Sequence, residues 1–162
     1  MVRHRSFLAG LLAVVAAMAA GCGDSSTAPP ELGGSDPATQ VYAASLGVNL
    51  SAMTKLSKAL YIQDLVTGTG AVATKDHFVT VTYTGWLANG TQFDSNVGKT
   101  ASSFLLSSGS VIDGWVQGIP GMRVGGKRRL IIGSALGYGT QPFGSIPSNS
   151  TLVFDVQLVS VQ

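Results

Sequence analysis

The side chains that could do chemistry in this sequence are mainly aromatic, with one carboxylate among them. Tyr83 and Phe93 lie on either side of a turn signal, Asp94 follows Phe93 directly, and Trp115 lies in a short apolar segment further along. Tyr and Trp join an apolar body to a polar tip, so such a group can bind an apolar ring and hydrogen-bond the polar groups beside it. From the pattern alone each ring is more often a core residue, and Asp94 could be a turn acid, so both interpretations stay open.

Other kinds of site have little support in the sequence. His4 and His77 have no partners at metal-ligand spacing, and His77 is expected in a surface loop. No G-x-S-x-G motif occurs, and no histidine is placed to activate a serine. The sequence therefore predicts neither a metal site nor serine-based catalysis.

The charge distribution gives no reason to expect a nucleic-acid partner. The formal net charge is +2, and Arg3 and Arg5 alone account for that surplus. Nucleic-acid-binding domains usually carry clustered Lys and Arg on one face. The one tight basic cluster, at residues 127–129, is predicted to be a solvated strand edge rather than a binding patch.

The elements that must position the candidate residues are predicted to be mainly strands. Segments 60–66, 78–83, 127–132 and 151–161 are rich in β-branched and other apolar residues. In the last of them apolar and polar side chains alternate, as expected of a strand with one buried face. Such a sheet must cover its apolar face with another element.

A turn and two helical segments complete the predicted elements. The Asn89-Gly90 pair predicts a tight hairpin turn in which both residues have positive φ. Residues 51–60 have helical composition, and residues 112–119 carry one apolar stripe at helical spacing that stops at Pro120. The pattern therefore predicts an α+β domain with a mainly antiparallel sheet, in which the second helix could fill a curved sheet.

The N-terminal residues predict an exported protein. Residues 1–6 are short and positively charged, and residues 7–20 are apolar or small. A membrane-spanning helix needs about 20 apolar residues, so this stretch is too short to span a bilayer and suits a secretory signal. We therefore assign residues 1–21 to a signal peptide that takes no part in the fold.

Cys22 is the only cysteine, and it follows the apolar stretch and Gly21. This arrangement resembles the lipobox of bacterial lipoproteins, which implies a lipid on Cys22 and a membrane-anchored protein facing the periplasm or the cell exterior. Ala19 stands where the lipobox usually has Leu, so an ordinary signal peptide is the alternative. An unpaired thiol on an exported protein is otherwise open to oxidation, which favours the lipid. Residues 22–40 are then the lipidated cysteine and a flexible linker, and residues 41–59 an N-terminal extension.

Five strings in the remaining chain resemble those of the FKBP-type peptidyl-prolyl cis–trans isomerases. They are LYIQDLVTGTG (60–70), VTYTGWLANGTQFDS (81–95), VIDGWVQG (111–118), GMRVGGKRRLIIGSALGYG (121–139) and IPSNSTLVFDVQLVSV (146–161). One string alone would be weak, but five in the family's order are specific, and they cover residues 60–162. The resemblance implies an antiparallel β-sheet wrapped around one short α-helix, in agreement with the pattern described above.

The resemblance also implies which residues form the site. Asp94 would lie near the rotating amide and be braced by Tyr83, and the Tyr138 hydroxyl would hold a substrate carbonyl, so these three would be catalytic. The substrate-binding residues would be Phe93, Val111, Ile112, Trp115, Phe104 and Phe154. Trp115 would form the floor that receives the proline ring, and the Ile112 N–H would hold a second carbonyl.

The implied activity is cis–trans isomerisation of X-Pro bonds in exported proteins, with proline bound in an apolar aromatic pocket and no covalent step. Such a reaction needs no cofactor. The implied partners are proline-containing segments of exported proteins, macrolides such as tacrolimus as candidate ligands, and a membrane through the lipid anchor, with a monomer as the default. The alternatives are a proline-binding chaperone with little turnover and a purely structural surface lipoprotein.

Two departures from the family's pattern fall near the expected pocket. Ser102 stands where many members have an aromatic residue, so the wall beside Phe104 is expected to be thinner. The loop at residues 140–145 is slightly shorter than in common members, and Phe143 is expected to contribute to the rim instead. Both departures bear on substrate preference and macrolide affinity.

Overall fold

The strands form where β-branched or apolar residues alternate with polar ones, and they account for most of the regular secondary structure within residues 36–162. The computed structural model describes residues 36–162, so the predicted signal peptide, Cys22 and most of the predicted linker lie outside the described residues. The strands are β1 Thr54–Ser57, β2 Leu60–Val66, β3 Phe78–Leu87, β4 Gln92–Ser95, β5 Ser102–Leu105, β6 Lys127–Ile132 and β7 Leu152–Val161, and the α-helix is α1 Asp113–Gly118. Short 3-10 helices cover Pro37–Thr39, Ala44–Leu46, Leu50–Ala52 and Ser134–Leu136.

The seven strands of residues 36–162 form one antiparallel sheet. Its order is β1-β2-β6-β7-β3-β4, and β5 pairs with the first half of β3 while β4 pairs with the second half. Helix α1 packs against the inner face of this sheet through Trp115 and Ile119, which share a core with Leu130 and Val156. The predicted fold class, an α+β antiparallel sheet wrapped around one short helix, is confirmed.

Alternation along the strands decides which side chains face the helix. In β3, Val79 and Val81 are fully buried, whereas Phe78 is 48% exposed on the outer face. In β7, Val156 and Leu158 are fully buried on the inner face. Each such side chain stabilises the fold by about 1.5–3 kcal/mol relative to its exposed state, so the register of the sheet is held firmly by its inner face.

Two glycines on one side of α1 let the helix approach β6 closely. A Cβ added at Gly114 would lie 2.5 Å from Ile132 Cγ2, and one added at Gly118 would overlap Leu130 Cδ2. Since residues four apart in a helix share a face, these glycines form a flat surface against the sheet. The close approach buries Trp115, which is 4% exposed, at the centre of the inner face.

The predicted helix at residues 51–60 is wrong. A 3-10 turn ends at Ala52, and the following residues form β1, whose Thr54 pairs with Ile62 of β2. Helix propensity is a weak preference that tertiary pairing overrides, and the Thr and Ser residues of this segment are compatible with a strand. The segment therefore extends the sheet by one edge strand.

The predicted Asn89-Gly90 hairpin turn is only partly correct. The chain does turn there, but four residues separate β3 from β4, and of the pair only Gly90 has a positive φ, of 88°. Gly90 N donates to Leu87 O at 2.9 Å, and Leu87 N donates to Thr91 O at 2.8 Å. The four-residue loop closes around a turn in which only Gly90 is left-handed, whereas the predicted two-residue hairpin turn would need two left-handed residues.

The predicted solvated strand edge at residues 127–129 is also wrong. Strand β6 is internal, since it lies between β2 and β7. Arg128 is 6% exposed and makes two bonds to Asp64, at 2.7 and 3.0 Å, and one to the Gly118 carbonyl at 2.8 Å. Arg129 makes two bonds to Asp155, at 2.6 and 3.0 Å. These two guanidinium groups are occupied by structural partners inside the domain.

The outer face of the sheet is covered by the chain that precedes it. Leu46 packs with Tyr61, Ile131 and Val153 in a second apolar cluster on that face. Arg129 also donates to the Leu46 carbonyl at 2.5 Å, which ties this segment to β6. Pro37 is buried and its carbonyl accepts from the Tyr42 hydroxyl at 2.8 Å, so the last residues of the predicted linker lie against the domain. Between residues 36 and 162 no helix has the length and apolar character needed to cross a bilayer.

Candidate active site

The inner face and the N-terminal end of α1 enclose a pocket of about 160 Å³. It is lined by Tyr83, Phe93, Asp94, Phe104, Ser110, Val111, Ile112, Trp115, Tyr138 and Phe154. All nine residues predicted for the site are among these ten, and Ser110 is the addition. The volume lies below the roughly 300–1,000 Å³ of sites for drug-sized ligands, so it suits a ring-sized group.

Trp115 lies at the centre of this set of rings. Its ring centroid is 5.2 Å from that of Tyr83 and 5.4 Å from those of both Phe104 and Phe154. All three contacts are edge-to-face, with interplanar angles of 80–86°. Edge-to-face aromatic pairs are each worth about 0.5–1.5 kcal/mol beyond their burial. The result is a rigid apolar floor with upright walls.

The indole N–H of Trp115 is buried without a hydrogen-bond partner among residues 36–162. An unsatisfied buried donor costs about 1–3 kcal/mol, and buried indole N–H groups usually find a partner. Because this N–H is fully buried, it does not face the pocket as an open donor. What favours a site role for Trp115 over the core interpretation is its place in the pocket lining, in contact with three wall rings.

Tyr83 holds Asp94 in place at one side of the pocket. Strand pairing sets Gly85 opposite Asp94 and Thr84 opposite Ser95, which brings Tyr83 to the C-terminal end of β4, beside Asp94. The Tyr83 hydroxyl donates to Asp94 Oδ2 at 2.5 Å. Burial, and then this hydrogen bond, raise the pKa of Tyr83. Tyr83 therefore stays protonated and keeps donating to the carboxylate throughout the neutral pH range.

Asn96 is the residue that the sequence reasoning missed. It is 8% exposed, and its Oδ1 accepts from the backbone N of Tyr83 at 2.7 Å. Its Nδ2 donates to the Val81 carbonyl and to Ser102 Oγ, both at 3.1 Å. The side-chain hydrogen bonds of Asn96 thus all go to β3, which carries Tyr83, and to β5 beside it. The only sequence signal was its place two residues after Asp94, which by itself indicates a loop residue.

Ser102 and Phe104 of β5, both expected near the pocket wall, have different roles. Val81 pairs with Ser102, and Val79 pairs with Phe104, so both side chains lie on the inner side. Ser102 accepts from Asn96, whereas Phe104 stands 6.1 Å from the Tyr83 ring and lines the pocket. The serine is therefore part of the support behind Tyr83, and Phe104 supplies the wall.

A glycine lets two of the wall residues meet. Phe93 and Phe154 are in edge-to-face contact with centroids 5.5 Å apart, directly over Gly85 of β3. A Cβ at position 85 would lie 2.6 Å from Phe93 Cζ and 2.7 Å from Phe154 Cε1. Such distances are far inside van der Waals contact, so any side chain at this position would displace the wall.

Tyr138 and the start of α1 form the opposite side of the pocket. Burial, and then the charge of Asp94, raise the pKa of Tyr138, so its hydroxyl remains a donor at neutral pH. The Tyr138 ring stacks on Phe143 with centroids 4.6 Å apart and an interplanar angle of 8°. Ile112 is the N-cap of α1, and no side chain caps the helix there. The stack places Phe143 at the rim, as the sequence predicted.

No group of three or more His, Cys, Asp or Glu side chains occurs within residues 36–162 that could hold a metal ion. The pocket instead offers aromatic walls, one carboxylate and hydroxyl donors. This arrangement can bind an apolar ring and orient the polar groups attached to it.

Comparison with known proteins identifies the family. The family model described as FKBP-type peptidyl-prolyl cis-trans isomerase matches residues 70–159. A "FK506-binding protein" of Neisseria meningitidis serogroup A is 47% identical over 105 residues, which are 64% of this chain and 96% of that protein.

Solved structures agree with this match. The crystal structure of FkpA from Escherichia coli has a TM-score of 0.63 and 37% identity, covering 68% of this chain and about half, 52%, of that chain. A peptidyl-prolyl cis-trans isomerase from Pseudomonas syringae has a TM-score of 0.63 and 31% identity, covering 74% of this chain and 86% of that one. This chain belongs to the FKBP-type peptidyl-prolyl cis–trans isomerase family and is an enzyme of that class.

Proposed function

We propose that the pocket over Trp115 binds the proline of an X-Pro segment and accelerates rotation about the bond before it, in proteins that are exported. The observation that carries the site assignment is the pocket over Trp115, with three aromatic rings edge-to-face around it and the Tyr83–Asp94 hydrogen bond at its side. X-Pro isomerisation takes tens to hundreds of seconds without a catalyst, which is slow enough to limit folding.

An apolar pocket is suited to this reaction because no bond is made or broken. Rotation meets a barrier of about 18–20 kcal/mol that arises from amide resonance. The twisted amide has lost that resonance, and its carbonyl is less polar than that of the planar form. A dry, aromatic environment therefore disfavours the planar form relative to the twisted one, which is differential binding of the transition state.

Asp94 and the two tyrosines have separate roles in this proposal. As the bond twists, the carbonyl carbon loses electron density from nitrogen, so a fixed carboxylate beside it favours the twisted form. Tyr83 fixes Asp94 through the 2.5 Å hydrogen bond. The Tyr138 hydroxyl and the Ile112 N–H then hold the carbonyls on either side of the proline. Holding these groups in place removes much of the entropic cost of reaching the twisted geometry.

The test is a proline-peptide isomerisation assay on the full chain in detergent, with matched pairs of variants. Trp115→Leu removes the floor, whereas Trp86→Leu removes the other tryptophan, which packs against the outer cluster. We expect Trp115→Leu to lower kcat/KM at least about tenfold, since loss of positioning of this kind costs one to two orders of magnitude. Trp86→Leu should lower stability and leave kcat/KM near wild type.

A second pair separates the carboxylate from a general charge effect. Asp94→Asn should lower kcat/KM, and Asp76→Asn, in a surface loop outside the pocket lining, should not. Binding of proline peptides without any rate acceleration would instead favour the chaperone alternative. Activity no better than buffer would contradict the proposal.

We propose that FK506 (tacrolimus) binds in the same pocket. The support is that the relative from N. meningitidis is named an FK506-binding protein, together with the aromatic lining described above. Competition between the macrolide and a proline peptide tests this, and the absence of competition would contradict it.

We also propose that the protein is exported and held to a membrane by a lipid on Cys22, facing the periplasm or the cell exterior. The support is the signal-like sequence of residues 1–21 and the lone cysteine that follows it. Cys22→Ala should release the protein from the membrane fraction, and an unchanged membrane fraction would contradict the lipid.

A further inference from the structure

A second groove adjoins the proposed proline pocket. It has a volume of about 520 Å³ and shares Ser110, Val111, Ile112 and Tyr138 with the pocket. Its remaining lining residues are Gly109, Asp113, Gly137 and Phe143. An extended peptide advances by about 3.3 Å per residue, so the residue beside a bound proline reaches this groove. The groove can therefore contact a substrate side chain that the pocket itself does not accommodate.

Phe143 gives the groove a ring face that is open to a ligand. One of its faces is stacked on Tyr138 at 4.6 Å, yet 60% of the residue is exposed. The loop around it is held by reciprocal backbone bonds between Phe143 and Ile146, both 2.9 Å. An exposed aromatic face on a held loop can bind an apolar group or a cation, and a cation over such a face gains about 0.5–1 kcal/mol.

Among residues 36–162, the charged residues that line the groove and the adjoining pocket are all acidic. Asp113 is the charged residue in its lining, and Asp94 is the charged residue in the lining of the adjoining pocket. Neither lining includes Lys, Arg or His. Lys99 on the Asp94 side directs its Nζ to the Ser95 carbonyl at 3.5 Å and belongs to neither lining. The carboxylate of Asp113 accepts a hydrogen bond from Ser108 Oγ at 3.3 Å and stays exposed.

We propose that this groove selects substrates that carry a Lys or Arg side chain next to the isomerising proline. The proposal rests on the isomerase activity at the Trp115 pocket. The aliphatic stem of a basic side chain packs along the Tyr138–Phe143 stack, and its cationic end meets the Phe143 face and the Asp113 carboxylate. A purely apolar side chain uses only the stack, and an acidic one is repelled by both carboxylates. A basic residue is therefore the occupant that uses every feature of the groove.

The experiment compares peptides that differ only in the residue beside proline: Lys, norleucine, which has a similar stem without the charge, and Glu. A second series places the same residues after the proline. In whichever series shows the larger effect, kcat/KM for the Lys peptide should be about 3–10 times that for the norleucine peptide. This factor corresponds to one exposed ion pair and one cation–π contact. Glu should fall below norleucine, and the Lys advantage should shrink at high ionic strength because exposed charges are screened.

Variants of the chain locate the source of the preference. Asp113→Asn and Phe143→Leu should each lower the Lys-to-norleucine ratio. Asp76→Asn makes the same change of charge in the surface loop before β3, so it should leave both that ratio and the turnover of the norleucine peptide unchanged. Because Asp113 and Phe143 are exposed, both variants should fold, and near-wild-type thermal unfolding would verify this.

The outcomes separate the two proposals. Turnover of the norleucine peptide with a Lys-to-norleucine ratio of one in both series would overturn the groove assignment and leave the isomerase proposal standing. A Lys preference that persists in both Asp113→Asn and Phe143→Leu would also overturn the groove assignment. No turnover of any peptide would overturn the isomerase proposal, and the groove assignment with it.

Discussion

Asn96 should support catalysis without touching substrate, and this is the prediction that the structure defines most sharply. In Asn96→Ala the backbone N–H of Tyr83 loses its 2.7 Å acceptor, and the Val81 carbonyl and the Ser102 hydroxyl each lose a 3.1 Å donor. A net hydrogen bond contributes about 0.5–1.5 kcal/mol, and a buried group left unpaired costs about 1–3 kcal/mol. We expect the free energy of unfolding to fall by about 2–4 kcal/mol.

The effect on activity should run through the Tyr83–Asp94 pair. Without the Asn96 clamp the strand around Tyr83 is held less firmly, so its hydroxyl positions the carboxylate less well. Since small misplacements in an active site cost up to about 100-fold, we expect kcat/KM to fall roughly tenfold. The assay is peptide isomerisation, and urea unfolding of the same samples measures the free energy of unfolding.

Two controls and a double-mutant cycle separate positioning from general destabilisation. Asn89→Ala removes a similar side-chain acceptor, which holds Thr91 N at 2.9 Å, but in the exposed β3–β4 loop. Val153→Ala lowers stability through the outer cluster on the far side of the sheet. Both should leave kcat/KM near wild type. If Asn96 acts through the tyrosine, its effect on kcat/KM should be much smaller in a Tyr83→Phe background. Fully additive effects would refute the reasoning.

The other predictions concern the wall, the tyrosines and the buried arginine. Gly85→Ala should lower kcat/KM and cost about 1–3 kcal/mol of stability, because the added Cβ displaces the two rings above it; unchanged turnover would contradict this. Folding raises the pKa of both Tyr83 and Tyr138, so the stability that they contribute is complete below about pH 10, the ordinary tyrosine value, and is lost as the pH rises further. Denaturant unfolding between pH 8 and 11 should show the free energy of unfolding of the wild type falling from about pH 10 upward. The fall should be smaller in Tyr83→Phe. Arg128→Met should lower the free energy of unfolding by about 2–4 kcal/mol, because the Gly118 carbonyl loses a buried donor. Lys99→Met, at an exposed lysine, is the control. A smaller loss of stability in Arg128→Met than in Lys99→Met would contradict a structural role for Arg128.

Much of the fold could be predicted because its main elements depend on local sequence. The alternation in β3 and β7 identified the buried faces, and the apolar stripe before Pro120 identified α1. The helix predicted at residues 51–60 failed because the preference was weak and β2 offered an unpaired edge. The basic cluster was misjudged for a similar reason, since Arg128 is buried in an internal strand and is paired there with Asp64, which lies far from it along the chain, and with the Gly118 carbonyl.

The residues that line the pocket could be predicted from the family's strings, but those that support them could not. Tyr83, Asp94 and Trp115 come from separate elements, and only their matches to the family's strings predicted that they line one pocket. Asn96 had no such string, and its role exists only because the loop after β4 folds back beneath β3. The pairing of Phe143 with Tyr138 likewise depends on the path of a loop, which local preference does not specify.

The family, the strand and helix faces and the residues that line the pocket thus follow from the amino-acid sequence alone, through periodicity and matched strings. What surrounds those residues depends on the folded structure. It showed that Trp115 keeps an orphaned N–H, that Asn96 clamps Tyr83, that the arginines of β6 are internal, and that a groove with one sign of charge adjoins the pocket. These features arise from contacts between residues distant in sequence, and such contacts exist only once burial has brought the elements together.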